Sequence, residues 1–341
     1  MNTKELIKTE YENLLNNIKT TNYFKVDMHI HTPASRKDYK VNNRYYEDVS
    51  IDELKNITKQ KLKVDELNPE LESYLKDELM AFLIVYEAFE IKKLNMFIVT
   101  DHNNIDWYEN IRAQLIFYTQ HFKKNPSKFM VLPGVEITCF TGTHIIAIFD
   151  VKEYEQKFNY LKYQLKGKEI NEDKLFTTSS EIDVINSIYK LGGIVYIPHV
   201  DNNAQKYRIK DILDPISGLS KAQVLTNKRV HAIGFSNYQH RTVVENVLND
   251  IKHDYYRADP ISYLKDSDAH SIDEIGKKYM HIKMENLSFN SLKFALEDPE
   301  IRVRDEMENK VIRKHIIGLV TEGGFLSKKV GKSITIPLLK I

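Results

Sequence analysis

Short apolar runs alternate with longer amphipathic stretches along most of this chain. Six runs read as buried strands with polar ends: Tyr23 to His29, Met96 to Thr100, Met130 to Val135, His144 to Phe149, Ile194 to Pro198 and Val230 to Phe235. Helical patterns lie between most of them. The clearest starts at Asn68-Pro69, a cap followed by proline in the first turn, and carries Leu71, Leu75, Leu79, Phe82, Tyr86 and Phe89 at three-to-four spacing. A second begins near Ser180, shows Ile182, Ile185 and Leu191, and stops at Gly192-Gly193. Strand, helix, strand order predicts a parallel α/β architecture. The polar segment from Arg36 to Leu67 interrupts that rhythm after the first strand; with the helix behind it, it reads as a helical insertion over 36–90 of the kind that shapes a substrate mouth.

Composition narrows the class. The chain has 341 residues, 42% hydrophobic and 28% charged, which excludes disorder and a collagen or disulfide scaffold. Lys+Arg 49 against Asp+Glu 48 leaves a formal charge of +1, so any site for a polyanion must be local. The single cysteine, Cys139, rules out an internal disulfide and a cysteine-built zinc site and fits a reducing compartment, so a cytoplasmic location is expected. Residues 1–21 are polar with helical spacing and lack a signal-peptide core. The longest apolar stretch, Met80 to Val85, is too short for a bilayer, and no membrane association is expected. From Arg302 onward nine basic residues face four acidic ones, a local +5, and 286–341 read as a small basic carboxyl-terminal extension.

The chemistry lies in the 12 histidines, many in short motifs beside Asp, Pro or another His. Asp27-Met28-His29-Ile30-His31 closes the first strand; residues two apart point to the same side, so His29 and His31 can reach one metal ion. Alone, such a pair is an ordinary coincidence. Thr100-Asp101-His102, Gly134-Val135-Glu136, His144, Pro198-His199 and Asp268-Ala269-His270 then fall at the ends of other strands. In a parallel barrel those ends converge on one face, so a multinuclear metal site is the economical reading. Imidazole-rich ligation favours Zn, Fe or Mn over Mg or Ca. Asp101 reads either as an acceptor that sets an imidazole tautomer or as a cap for the following helix.

The ordered series HIHTPAS, TDHN, GVEIT, THIIAIF, IPHVD and SDAH, running from about Tyr23 to His270, resembles the PHP (polymerase and histidinol phosphatase) superfamily. More narrowly, HIHTPAS followed by a long helical insertion before TDHN is similar to PHP modules of the TrlF type, fused to an SMC-like ATPase, some of whose relatives are associated with defence against phage. The resemblance implies a distorted (β/α)7 barrel over 22–285 and a metal-dependent phosphoesterase holding two or three divalent transition-metal ions. His29, His31, Glu136 and Asp268 would hold one ion, Glu136 would bridge to a second completed by His144 and His199, and a third would take His102 and His270. The chain departs from the pattern at Ser35-Arg36-Lys37-Asp38: Asp38 would complete the third position, or Arg36 or Lys37 would bind phosphate there instead.

Such a site hydrolyses phosphoesters because paired ions neutralise the phosphoryl oxygens and supply hydroxide near neutral pH. The expected catalytic groups are Glu136 beside the attacking water, Arg36 or the third ion on the leaving oxygen, and His102 or His270 as proton donor. A nucleotide or nucleic acid is the expected substrate. Tyr39, Tyr45 and Tyr46, with Lys37, Lys40 and Arg44, read either as a nucleotide clamp or as rim packing. A catalytically silent module serving an ATPase partner is the alternative. An amidohydrolase barrel also begins with His-x-His but expects a bridging lysine where this chain has Glu136. Gly331-Lys332-Ser333 lacks the earlier glycine of a phosphate loop, since Leu326 stands there. His121, His231, His240, His253, His281 and His315 read as surface or core residues, with His231 the one to watch, and Cys139 as packing.

Overall fold

A computed structural model of the chain describes residues 22–165, 177, 179–202 and 211–306, with the backbone of three further short strands; the side chains of Arg36 and Lys37 are outside this set, as is the helix expected over 1–21. Two compact units result. Thr21–Glu306 carries every site discussed below. The second unit contributes an antiparallel sheet of Gly318–Thr321, Gly324–Ser327 and Ser333–Ile334.

The large unit is built on nine strands: β1 Asn22–Ile30, β2 Met96–Val99, β3 Met130–Thr138, β4 His144–Ile148, β5 Ile194–Ile197, β6 Ala232–Gly234, β7 Ser262–Leu264, β8 Met280–Met284 and β9 Val303–Arg304. They join in the order β9-β8-β1-β2-β3-β4-β5-β6-β7. At the carboxyl end of β1, Ile30 bridges to Ala269 just beyond β7, and the His31 amide donates to the Ala269 carbonyl at 3.0 Å. This closes β1 to β7 into a seven-stranded barrel wall, with β8 and β9 added outside β1. Of these strands only β9 lies beyond residue 285.

The sheet is not wholly parallel as the element order suggests. β3, β4 and β5 pair antiparallel, because a five-residue loop from Cys139 to Thr143 turns the chain straight back. This reversal sets the amino end of β4 at the same mouth as the carboxyl ends of its parallel neighbours. Side chains alternate between two clusters. Val26, Met28, Met96, Ile98, Leu132, Ile146, Ile148 and Tyr196 share one face of the sheet with Leu292 and Leu296 of the helix Phe289–Glu297. Val99, Val131, Val135, Ile137 and Ile145 face the other way, under the remaining helices. Glu136 continues the first row two residues beyond Gly134, and His144 heads it before Ile146.

The helix expected from Asn68 to Phe89 is split. Asn68 caps Pro69–Ser73 by accepting from the Leu71 amide. The backbone then extends through Tyr74 and Leu75, and a second helix, Lys76–Tyr86, opens with Glu78 accepting from the Leu75 amide. Leu75, counted in the apolar stripe, is 69% exposed. Leu79 to Tyr86 are all buried, since the second helix is packed between Ile51–Leu62 and Tyr108–His121 and so needs no polar face.

Candidate metal centre

Six imidazoles and two carboxylates meet at the barrel mouth. His29 lies where the β1–β2 register shifts between Asp27 and Ile30, an irregularity that re-aims side chains. His31 directly follows β1 and His102 stands three residues past the end of β2; Glu136 is inside β3, and His144 opens β4. His199 and Asp268 sit in the left-handed backbone region, at φ 34° and 47°, beside Asn103 at 57°. His, Asp and Asn tolerate that region better than other side chains, and such conformations gather at functional sites.

Distances describe a ligand shell. His29 Nε2 and His31 Nε2 are 2.9 Å apart; each lies 3.4–3.6 Å from Glu136 Oε2 and Asp268 Oδ1. Donors about 2.1 Å from one ion stand about 3.0–3.5 Å from each other, so these four atoms have the spacing of a shared cation. Glu136 Oε1 meets His144 Nδ1 at 2.7 Å and His199 Nε2 at 2.9 Å, while Oε2 meets His102 Nδ1 at 2.9 Å. The His270 ring stacks on His31 with centroids 4.0 Å apart. Among the described residues, four triads have donor atoms within 4.8 Å of one another: His29/His31/Asp268, His29/Glu136/His199, His102/Glu136/His144 and His31/His102/His270. His144 and His199, expected together, thus fall in different triads that share Glu136. Asp38 belongs to none of the four; its Oδ2 is 3.8 Å from His102 Nε2 and its side chain is 43% exposed.

The donor set suits cations. Among the described residues, Glu136 Oε2 and His29 Nδ1 are buried and make no well-aligned hydrogen bond. Burial alone would raise the Glu136 carboxyl, but His144, His29 and His102 hold it well below the usual carboxylate range. Asp268 is brought down against its burial by His29 and His31. Burial opposes charge on His29 as well, yet Glu136 and Asp268 push it up to about 10, and Glu136 likewise raises His102 and His199. His31 is driven well below its ordinary value by burial and by His270 and His102. The pocket demands positive charge, which protons or metal ions can supply.

A second layer supports these side chains, and most of it has no motif of its own. Asp101 accepts from Thr32 and Ser35 rather than from the His102 ring or a helix amide. Asp266 lies with Oδ1 3.8 Å from His29 Nδ1, and its other oxygen accepts from the Tyr196 hydroxyl. Its spacing two before Asp268 was the available signal. Asp27 accepts from the amides of Ser267 and Gly276, and burial, with Asp266 nearby, pushes its carboxyl up to about 7.

The remaining candidates separate. Tyr39 and Tyr46 are buried in the core, so the rim-packing reading holds for them, while Tyr45 is exposed beneath the Lys40 ammonium. Cys139 is fully buried and its thiol is pushed well up by burial, in keeping with packing. His231 precedes β6, away from the mouth, and its Nδ1 accepts from the Val195 amide at 3.1 Å. His240 pairs with Asp201 at 2.6 Å. Phe140, at 63% exposure, stands in the β3–β4 loop between Glu136 and His144. No helix among the described residues is long and apolar enough to cross a membrane.

No protein-family model matches the chain. An uncharacterised protein of Streptococcus pneumoniae is 29% identical over 164 residues, covering 44% of this chain and 62% of its own length. Among solved structures, the lesion-specific endonuclease PfuEndoQ from Pyrococcus furiosus matches at 14% identity and TM-score 0.47, over 81% of this chain and 56% of that one. A Bacteroides vulgatus two-domain protein, described as containing a predicted PHP-like metal-dependent phosphoesterase, matches at 12% identity and TM-score 0.43, over 83% of this chain and 64% of that one. The match thus spans less than two thirds of each of these proteins' own lengths. A protein described as containing a predicted PHP-like metal-dependent phosphoesterase is thus among the solved structures to which this chain is similar.

Proposed function

We propose that this chain is a metal-dependent phosphoesterase of the PHP type, acting on a phosphoester in a nucleotide or nucleic acid. The observation that carries the reading is Glu136: fully buried, it has imidazoles from separate parts of the barrel mouth against both oxygens. A carboxylate is an acceptor on both sides, and neutral imidazoles turned toward it with lone pairs would repel it unless cations intervene.

His29, His31, Glu136 and Asp268 would hold one ion, and Glu136 with His144 and His199 a second. His102 and His270 would take a third, with Asp38 beside His102. Bound divalent ions supply charge neutralisation on a phosphoryl group and a low-pKa water. The protein's own part is to hold these donors at fixed spacing. His102 or His270, whichever is not a ligand, donates a proton to the leaving oxygen. The imidazole-rich set favours Zn, Fe or Mn. Arg36 remains a candidate for contact with the phosphate.

For the substrate, exposed Phe140 stands in the loop joining Glu136 to His144, where an aromatic face suits a nucleobase. The buried Tyr39 and Tyr46 lend that reading nothing. The intact donor set argues against a silent scaffold for an ATPase partner.

The test is to purify the chain without chelator, count its transition metals, and assay mononucleotides and single- and double-stranded DNA and RNA with manganese. Two or more ions per chain and hydrolysis of one substrate class are expected. A metal-free, inactive protein would favour the scaffold.

A further inference from the structure

Asp101 is fully buried and has three donors on its two oxygens. The Thr32 amide and the Ser35 hydroxyl reach Oδ1 at 2.6 and 2.8 Å, and the Thr32 hydroxyl reaches Oδ2 at 2.7 Å. Thr32 Oγ1 accepts from the Ala34 amide at 3.2 Å, which is consistent with its proton going to Asp101. Ser35 Oγ, in turn, accepts the His102 amide at 3.3 Å and lies 2.8 Å from His31 Nδ1.

Counting protons sets the direction of this last bond. A serine hydroxyl has one proton, and an ionised carboxylate can only accept. With its proton on Asp101, Ser35 must accept from His31, so Nδ1 carries the imidazole proton. A neutral ring has one N–H, which leaves Nε2 as a lone pair, and Nε2 is the atom 2.9–3.4 Å from His29, Glu136 and Asp268. His31 and Ser35 are brought together by the 3-10 turn Pro33–Asp38, in which the Ser35 amide donates to the Thr32 carbonyl.

We infer that Ser35 is a positioning residue: backed by Asp101, it locks His31 in the Nδ1–H tautomer and so presents Nε2 as a ready metal donor. The metal half of this inference rests on the function proposed above; the tautomer half does not. A protonated Asp101 donating to Ser35 would reverse the chain of bonds and put the imidazole proton on Nε2, the opposite result.

The experiment is nitrogen NMR of the full chain labelled with 15N-histidine, freed of metal by chelation, with the His31 signals assigned through His31→Gln. The wild type should show a protonated Nδ1 and a bare Nε2. Ser35→Ala should give mixed tautomers and bind zinc about 10–100-fold more weakly in competition with a chelator, and Ser35→Thr should restore both. A wild-type proton on Nε2 overturns the inference, as does a Ser35→Ala protein with unchanged tautomer or unchanged affinity. The wild-type spectrum decides the tautomer even if Ser35→Ala does not fold. Failure of the wild type to take up zinc would remove the metal centre, a result distinct from a wrong tautomer.

Discussion

His29 Nε2 and His31 Nε2 face each other at 2.9 Å, with both rings fully buried. Two bare lone pairs at that distance repel, so the contact needs a proton or a metal ion between the two nitrogens. In the metal-free protein a proton on His29 serves, since Glu136 and Asp268 outweigh its burial and raise it to about 10. A divalent ion would take that proton's place. Zinc or manganese added to chelated protein is therefore expected to release protons and raise the unfolding temperature, the stabilisation reaching about 2.7 kcal/mol at 100 times Kd. Calorimetry and a pH-stat titration check this; neither shift nor proton release would count against a metal centre here.

Glu136→Ala removes the carboxylate that both halves of the cluster share. Turnover should fall by more than about 100-fold, beyond the usual cost of losing a supporting group, and metal content should drop with it. Circular dichroism should show the fold retained. Wild-type activity in this variant would refute the mechanism.

Asp38 is half-exposed and 3.8 Å from His102, outside the four triads. Asp38→Ala is accordingly expected to cost about tenfold or less in turnover. Metal analysis alongside the assay decides its place: loss of one ion with two retained would assign Asp38 to the third position.

His231 predicts a pH effect on stability away from the mouth. Burial first, then Lys293 and Arg257, push its imidazole down to about 4. The unfolded chain, near 6.5, therefore takes up this proton before the folded one. The stabilisation is complete above about pH 6.5 and is lost as pH falls toward 4, by about 3 kcal/mol in all. Urea midpoints at pH 7 and pH 4.5 should fall further for wild type than for His231→Asn, whose carbonyl can still accept from Val195. Equal falls would show that His231 does not contribute.

Phe140→Ala tests the nucleic-acid reading. Loss of one base stack, about 1–3 kcal/mol, should raise KM for a single-stranded oligonucleotide roughly tenfold and leave turnover of a small aryl phosphate unchanged. Equal KM in both proteins would remove Phe140 from the substrate site.

Much of this molecule was written locally. A strand announces itself by its apolar run and a cap by one residue, so Met96–Val99, Ile194–Ile197 and the helix capped by Ser180 follow from the chain alone. Each ligand motif is equally local, which is why the eight donors now gathered at the mouth could be named beforehand. β7, β8 and β9 escaped because Ser262–Leu264, Met280–Met284 and Val303–Arg304 mix polar with apolar positions instead of forming an apolar run. Leu75 misled because spacing fits a stripe even where the backbone leaves the helix.

What only the tertiary structure decided is pairing. The reversal at Cys139 to Thr143 makes β4 antiparallel and turns His144 inward, and the Ile30–Ala269 bridge closes the wall across 239 positions of chain. Asp101, 66 residues from Ser35, reaches it beside His31 through the parallel pairing of β1 with β2. Spacing along a chain fixes which side chains share a strand or a turn; which strands then lie side by side depends on how the whole apolar surface is buried, and that is a property of the packed molecule.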